Sequence, residues 1–213
     1  MQGIFRSFLE APLSAKLGLV TITAYLVVAI FAPIIAPYSE TEILGGAYEL
    51  WSEKYPLGTD NLGRDMLSRL IFGARNTIGI ALAAVVIAFA IGGVTGMLVA
   101  ILGGWYDTII SRIVDALMAI PGLVFALLIL TILGTSIPTL VLVIAVLDST
   151  RVYRITRASA MNVAVMDFVE VAHLRGEGLW WVIRKEILPN IMAPLLAEFG
   201  LRFCFVFLFI AAL

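Results

Sequence analysis

Hydrophobic positions in this chain run in long uninterrupted blocks, and the charges collect between them. Residues 17–39, 76–106 and 116–147 carry no Asp, Glu, Lys or Arg, and neither does the stretch after Arg202. A helix rises about 1.5 Å per residue, so roughly 20 apolar residues cross the hydrocarbon core of a bilayer. The first two blocks predict spans near 17–36 and 77–102. The third contains Leu133-Gly134-Thr135-Ser136-Ile137-Pro138, a turn signal, and so divides into short helices near 118–134 and 138–150. A fifth run begins at Ile191 and is still apolar at Leu213. The expected fold is all-α, a polytopic membrane protein with five visible spans. An apolar ending without a polar flank predicts a chain that continues through at least one more span.

The segments around these blocks carry their own patterns. In 60–76, Leu62, Met66, Leu70 and Ala74 recur every fourth residue, which predicts an interfacial helix with Asp60 as its N-cap, bracing the first span against the second. Gly92 and Gly96 form a small-xxx-small pair that lets another helix approach closely. Asp107, Arg112 and Asp115 flank the following loop as solvated charges, with Asp115 near enough to a span to serve in gating. Arg151, Arg154 and Arg157 follow the fourth span and would anchor it at the headgroups. Glu198 and Arg202 stand at i and i+4 inside the last span, where they form either a structural ion pair or part of a translocation path.

Composition sharpens this. The chain of 213 residues is 62% hydrophobic and 14% charged, with a mean hydropathy of +1.06, whereas soluble domains are about 45–50% apolar and about 25% charged. A net charge of −1 gives no basic field for nucleic acid. With one cysteine, Cys204, and one histidine, His173, neither a disulfide scaffold nor a multi-histidine metal site can be built. No phosphate-cradling G-x-x-x-x-G-K-[ST] loop, H-E-x-x-H or G-x-S-x-G occurs, so no catalytic, cofactor or metal residues are expected.

Basic residues set the orientation. Arg6 and Lys16 precede the first span, and Arg151, Arg154, Arg157, Arg175, Arg184 and Lys185 fall in 151–190. Placing the N-terminus and 151–190 in the cytoplasm satisfies the positive-inside tendency. Segment 37–76 lies outside in this scheme, and although it contains four basic residues its six acids leave it net negative. The first span is longer than a cleavable signal's apolar core, and Pro37 follows the only small-residue cleavage point, Ala36, so it reads as a retained anchor.

The cytoplasmic segment is the most specific part of the sequence. Residues 170–190 predict a short helix ending at Gly176, a turn through Gly178, and a second helix halted before Pro189. Phe168, Val171, Ala172 and Arg175 would form one face of the first helix, and Leu179, Val182, Ile183 and Glu186 one face of the second. Such a surface lies in headgroups or docks in a partner's groove.

This spacing resembles the EAA loop of ATP-binding-cassette (ABC) importer permeases: Glu170, Ala172, Gly176, Leu188 and Pro189 stand in register, while Val171 replaces an alanine and Glu186 a hydrophobic residue. Leu57–Leu70 with Gly73-Ala74-Arg75, Gly103–Asp107 with Arg112, Asp115 and Pro121, and Ala32-Pro33 through Pro37 are similar to segments of dipeptide, oligopeptide and nickel permeases of the second, C-type. The resemblance implies a type I ABC importer transmembrane domain. Residues 1–76 would form a tail, first helix and outer segment, and 77–213 the permease domain including the coupling loop 151–190. The implied partners are a homologous permease, two ATPase subunits and an extracytoplasmic binding protein, in a prokaryotic inner membrane. Peptides or similar small solutes are the implied cargo. The alternative is an ion-coupled secondary carrier using Glu198 or Asp115, which would leave the 170–189 pattern without a purpose.

Overall fold

The computed structural model describes residues 12–212; Arg6 and Leu213, which enter the orientation and continuation arguments, lie outside them. Among these residues the regular structure is helical, with one isolated bridge between Thr59 and Asp65. Two compact units divide the chain, one ending at Gly79 and the other starting at Ile80.

In the first unit, α1 (Leu13–Ile30) is followed after Phe31 by the single turn α2 (Ala32–Ile35), which has Pro33 in its first turn, where the missing N–H costs nothing. Residues 36–65 then run without a helix. They are held by a polar lattice: Tyr55 donates its hydroxyl to the Leu44 carbonyl at 2.8 Å, while Thr59 Oγ1 accepts from Glu49 N and donates to the Gly46 carbonyl. Gly63 has φ +76°, and a Cβ there would run into the Gly45 carbonyl oxygen, so this close crossing requires glycine.

Asp60 is the centre of the lattice. Its carboxylate accepts from the backbone N–H groups of Leu62 and Arg64 and from the Arg64 and Arg69 guanidinium groups. Burial alone would raise its pKa, but the hydrogen bonds from Arg64 and Leu62 outweigh that and hold the carboxyl well below the usual range. These bonds keep the chain in a turn through Arg64, so the helix predicted over 60–76 does not start at Asp60. Asp65 caps it instead, accepting from Ser68 N at 2.8 Å and Ser68 Oγ at 2.7 Å. The helix that follows, α3, runs unbroken from Met66 to Leu102, with no separate interfacial helix before the span.

The second unit contains the rest of α3, then α4 (Gly104–Met118), α5 (Gly122–Leu133), α6 (Ile137–Ala164), α7 (Asp167–Leu174), α8 (Leu179–Val182), a π turn (Ile183–Ile187) and α9 (Leu188–Ala212). Helix α6 is its hub, with α4, α5, α7 and α9 packed on it. Gly92 and Gly96 of α3 face α6 so closely that a Cβ at Gly92 would strike the Ser149 carbonyl, and one at Gly96 would sit 3.0 Å from the Tyr153 carbonyl oxygen. The small-xxx-small pair thus serves helix packing.

Three sequence expectations need correction here. Residues 104–118 are a helix rather than a loop; it is strongly amphipathic, and its charges fall on one side. It meets α5 at an 84° bend across Ala119–Pro121, where Pro121 ends the first helix. Helix α6 is 28 residues long, so Arg151, Arg154 and Arg157 lie within it rather than after it. Finally, Pro189 does not stop the second cytoplasmic helix. The π turn shifts the hydrogen-bond register just before it and so accommodates the missing N–H of Pro189 inside a continuous helical run from Leu179 to Ala212.

By length and apolarity, α1, α3 and the run Leu179–Ala212 can each cross a membrane, and the bent pair α4–α5 makes a fourth candidate if counted as one span. Helix α6 carries Asp148, Arg151, Arg154 and Arg157, which removes it from that set.

Candidate functional site

Two arrangements in the second unit bring charged or exposed apolar side chains together. The first is the helix–glycine–helix segment. Helix α7 ends at Leu174, and Gly176, at φ +80°, turns the chain toward α8; the Gly176 and Glu177 N–H groups close the end on the His173 and Ala172 carbonyls. Val169 and Ala172 are buried with Val182, Ile183 and Ile187, against Met97, Ala160, Ile191 and Leu195. This corrects the predicted face of α7: Ala172 is inside, but Val169 rather than Phe168 or Val171 accompanies it. In an eight-residue helix so rich in apolar residues, periodicity alone could not choose the buried side. Phe168, Val171 and Leu174 remain exposed, Leu174 at 80%.

Of the residues expected to act in this loop, Glu170 and Val171 are exposed on α7, Ala172 is buried, Gly176 forms the turn, Leu188 is half-buried and Pro189 is exposed. The predicted face of the second helix holds at Val182 and Ile183. Arg175 stacks over the Trp181 ring with its guanidinium carbon 5.5 Å from the ring centre. The segment is therefore a short apolar ridge held in a fixed pose by an apolar base.

The second arrangement is a buried charge cluster. Arg202 Nε lies 2.6 Å from Glu198 Oε1 across one helical turn of α9, close enough to pair but without the alignment of a directed hydrogen bond. Arg202 also comes within 3.6 Å of Asp148 on α6, and Asp148 accepts from Arg151 Nη1 at 3.0 Å. Side-chain exposure is only 7% at Asp148 and 14% at Arg202, against 52% at Arg151. Two acids and two bases thus balance in a low-dielectric setting, where an isolated charge would be costly. Sequence reasoning found the i, i+4 pair but missed Asp148, whose only signal was a carboxylate amid an otherwise apolar run.

Of the α4 charges expected to be solvated, Asp107 and Asp115 find partners on α6. Arg157 makes a two-pronged contact with Asp107 through Nε and Nη2. Arg154 reaches Asp115 at 3.0 Å, with both side chains largely exposed. Arg151, Arg154 and Arg157 each pair with a carboxylate. Among the described residues no group of three or more His, Cys, Asp or Glu is arranged to hold a metal.

Several helices long and apolar enough to cross a membrane, a bent pair among them, and a helix–glycine–helix segment ahead of the last one describe a multi-pass membrane protein. The chain belongs to the family of binding-protein-dependent transport system inner membrane components, whose model matches residues 92–213. It is 37% identical over 191 residues to the dipeptide transport system permease protein DppC of Haemophilus influenzae, covering 86% of this chain and 65% of that protein. With the protein of the same name from Escherichia coli it shares 34% over 206 residues, 93% of this chain and 69% of the relative. The glutathione transport system permease protein GsiD of Pectobacterium atrosepticum is 27% identical over 202 residues, 93% of this chain and 66% of that protein. The chain thus spans about two thirds of the length of the curated relatives it matches.

Proposed function

We propose that this chain is the C-type transmembrane permease subunit of an ABC importer, forming a translocation path with a homologous permease. Peptides are the proposed cargo, in keeping with the names of its relatives; GsiD shows how far such names can vary. An extracytoplasmic binding protein delivers the solute, and two separate ATPase subunits supply ATP hydrolysis, since this chain lacks a nucleotide motif.

The observation that carries this reading is the exposed ridge Phe168–Val171–Leu174 standing on the buried base Val169–Ala172–Val182–Ile187. Exposed apolar side chains on a rigid mount suit a groove in a partner. Glu170, Val171, Ala172, Gly176, Leu188 and Pro189 form the coupling element in this account. ATP-driven closure of the partners would move the ridge, and α9, continuous with it through the π turn, would carry that motion into the membrane. The docked segment must fit its groove differently in the two access states, because a partner shifts an equilibrium only by binding the states unequally.

The remaining topology is part of the same proposal: a cytoplasmic N-terminus, five spans with α5 and α6 counted separately, α6 entering despite its charges because they pair with residues of α4 and α9, and residues 1–76 as an accessory region before a permease domain over 77–213. Glu198 and Arg202 act here as a structural pair fixing α9 against α6. The carrier alternative is not favoured: Glu198 is engaged by Arg202 and Asp115 by Arg154, and the family is one of binding-protein-dependent systems.

The test is co-purification of the assembled transporter with Leu174→Glu in this chain. An exposed position should tolerate the change without loss of membrane insertion, while the ATPase subunits should be lost. Full retention of the ATPases with normal uptake would refute the docking assignment. Gly176→Val should insert normally and uncouple uptake from ATP hydrolysis, because a β-branched residue is strained at positive φ.

A further inference from the structure

A cleft of about 210 Å³ opens where α4 bends into α5. Its apolar lining includes Met118, Leu147, Phe205 and Phe209, and its charged lining is Asp148 and Arg151. We infer that this cleft binds the carboxylate end of a small solute, with Arg151 as the recognising group. The inference rests on the permease reading above and adds the chemistry of the site.

Two observations support it: the break in the backbone and the Arg151–Asp148 pair. Irregular backbone within an apolar helix pair is tolerated where it is buried in protein or lines a water-filled space, and broken helices mark binding sites in transporters; the cleft sits on such a break. Arg151 is half-exposed, and its one hydrogen bond among the described residues uses Nη1 alone, which leaves the rest of a fork suited to carboxylate. Asp148, almost fully buried and itself within reach of Arg202, holds that fork from behind. It acts as a positioning residue that also lines the cleft beside Arg151, so the guanidinium N–H groups not used by Asp148 are the ones left to meet the solute. The volume is below the roughly 300–1,000 Å³ of drug-sized pockets. It therefore suits one end of a solute, with an apolar side chain against Phe205 and Phe209.

The experiment uses the assembled transporter carrying Leu147→Cys, with Cys204→Ser removing the native thiol of this chain. Maleimide labelling of position 147 is followed by mass spectrometry in the presence of dialanine or its C-terminal amide. Dialanine should protect the thiol, and the amide should need about tenfold more for the same protection, the size of one charge-assisted hydrogen bond. Arg151→Gln should abolish that discrimination, and Arg151→Lys should restore part of it. Equal protection by both compounds, no protection by either, or discrimination that survives Arg151→Gln would overturn the inference. Because the ATPase docking test reads Leu174 and this one reads position 147, failure of the cleft leaves the coupling assignment standing, and the reverse failure is equally visible.

Discussion

The chain makes two excursions away from its long helices, residues 36–65 and residues 165–187, and they are stabilised by opposite means. The first has no helix, and its order comes from hydrogen bonds that converge on Asp60, Thr59 and Tyr55. The second is helical around a glycine turn, and its order comes from burying Val169, Ala172, Val182, Ile183 and Ile187. Both expose large apolar side chains: Leu50 at 87% in the first and Leu174 at 80% in the second. Exposure alone therefore does not mark a docking surface. What separates the two is the mount: the first surface stands on a loop held by polar hydrogen bonds, whereas the second stands on an apolar base shared with α3, α6 and α9.

The largest effect should come from removing the apolar mount. Ile187→Ala leaves a cavity among Val182, Ile183 and Ile191 and should cost about 2–5 kcal/mol, read as a lower midpoint of thermal unfolding in detergent. Hydrogen exchange should rise across 165–187 and stay unchanged across 44–64. A uniform rise in both would mean that the two excursions are not independently held.

A smaller and more local effect is expected at the polar mount. Asp60→Ala should free the 44–64 amides to exchange with little change at 165–187. The pH dependence follows from the depressed carboxyl of Asp60. Its stabilisation is fully present above the unfolded-state value of about 3.9 and is lost as pH falls through the lower folded-state value. Protection of 44–64 should therefore persist at pH 5 in the wild type and decline only in stronger acid. Loss of protection already between pH 7 and 5 would contradict this account of the loop.

The smallest effect on stability should be at the ridge itself. Leu174→Ala removes an exposed side chain and should move stability by no more than about 0.5 kcal/mol, measured by the same thermal unfolding. A large loss would mean that Leu174 belongs to the core rather than to a surface.

The same contrast explains what the sequence made legible. Charge-free blocks located α1, α3, α5 and the start of α9, because hydrophobic runs need only composition to be recognised. Gly176 and Gly134 were readable because a positive φ at the end of a helix favours glycine. Helix α4 and the second half of α6 were hidden because their charges looked like ends of spans, and only the fold shows Asp107 meeting Arg157 and Asp115 meeting Arg154 across two helices. The cap at Asp65 was lost to Asp60 for a similar reason. Both are acids near a helix start, and the choice depends on the tertiary contact of Asp60 with Arg69. Asp148 could be seen as an anomaly in an apolar stretch, but its partners come from α6 itself and from α9, more than fifty residues on.

The central claim is that the 165–187 ridge, and not any exposed apolar surface, meets the ATPase subunits. Cysteine at position 174, introduced in a Cys204→Ser background of the assembled transporter, should cross-link to an ATPase subunit, with a yield that changes when ATP is added. Cysteine at position 50 should give no such product. Cross-linking from position 50 but not from position 174 would contradict the account.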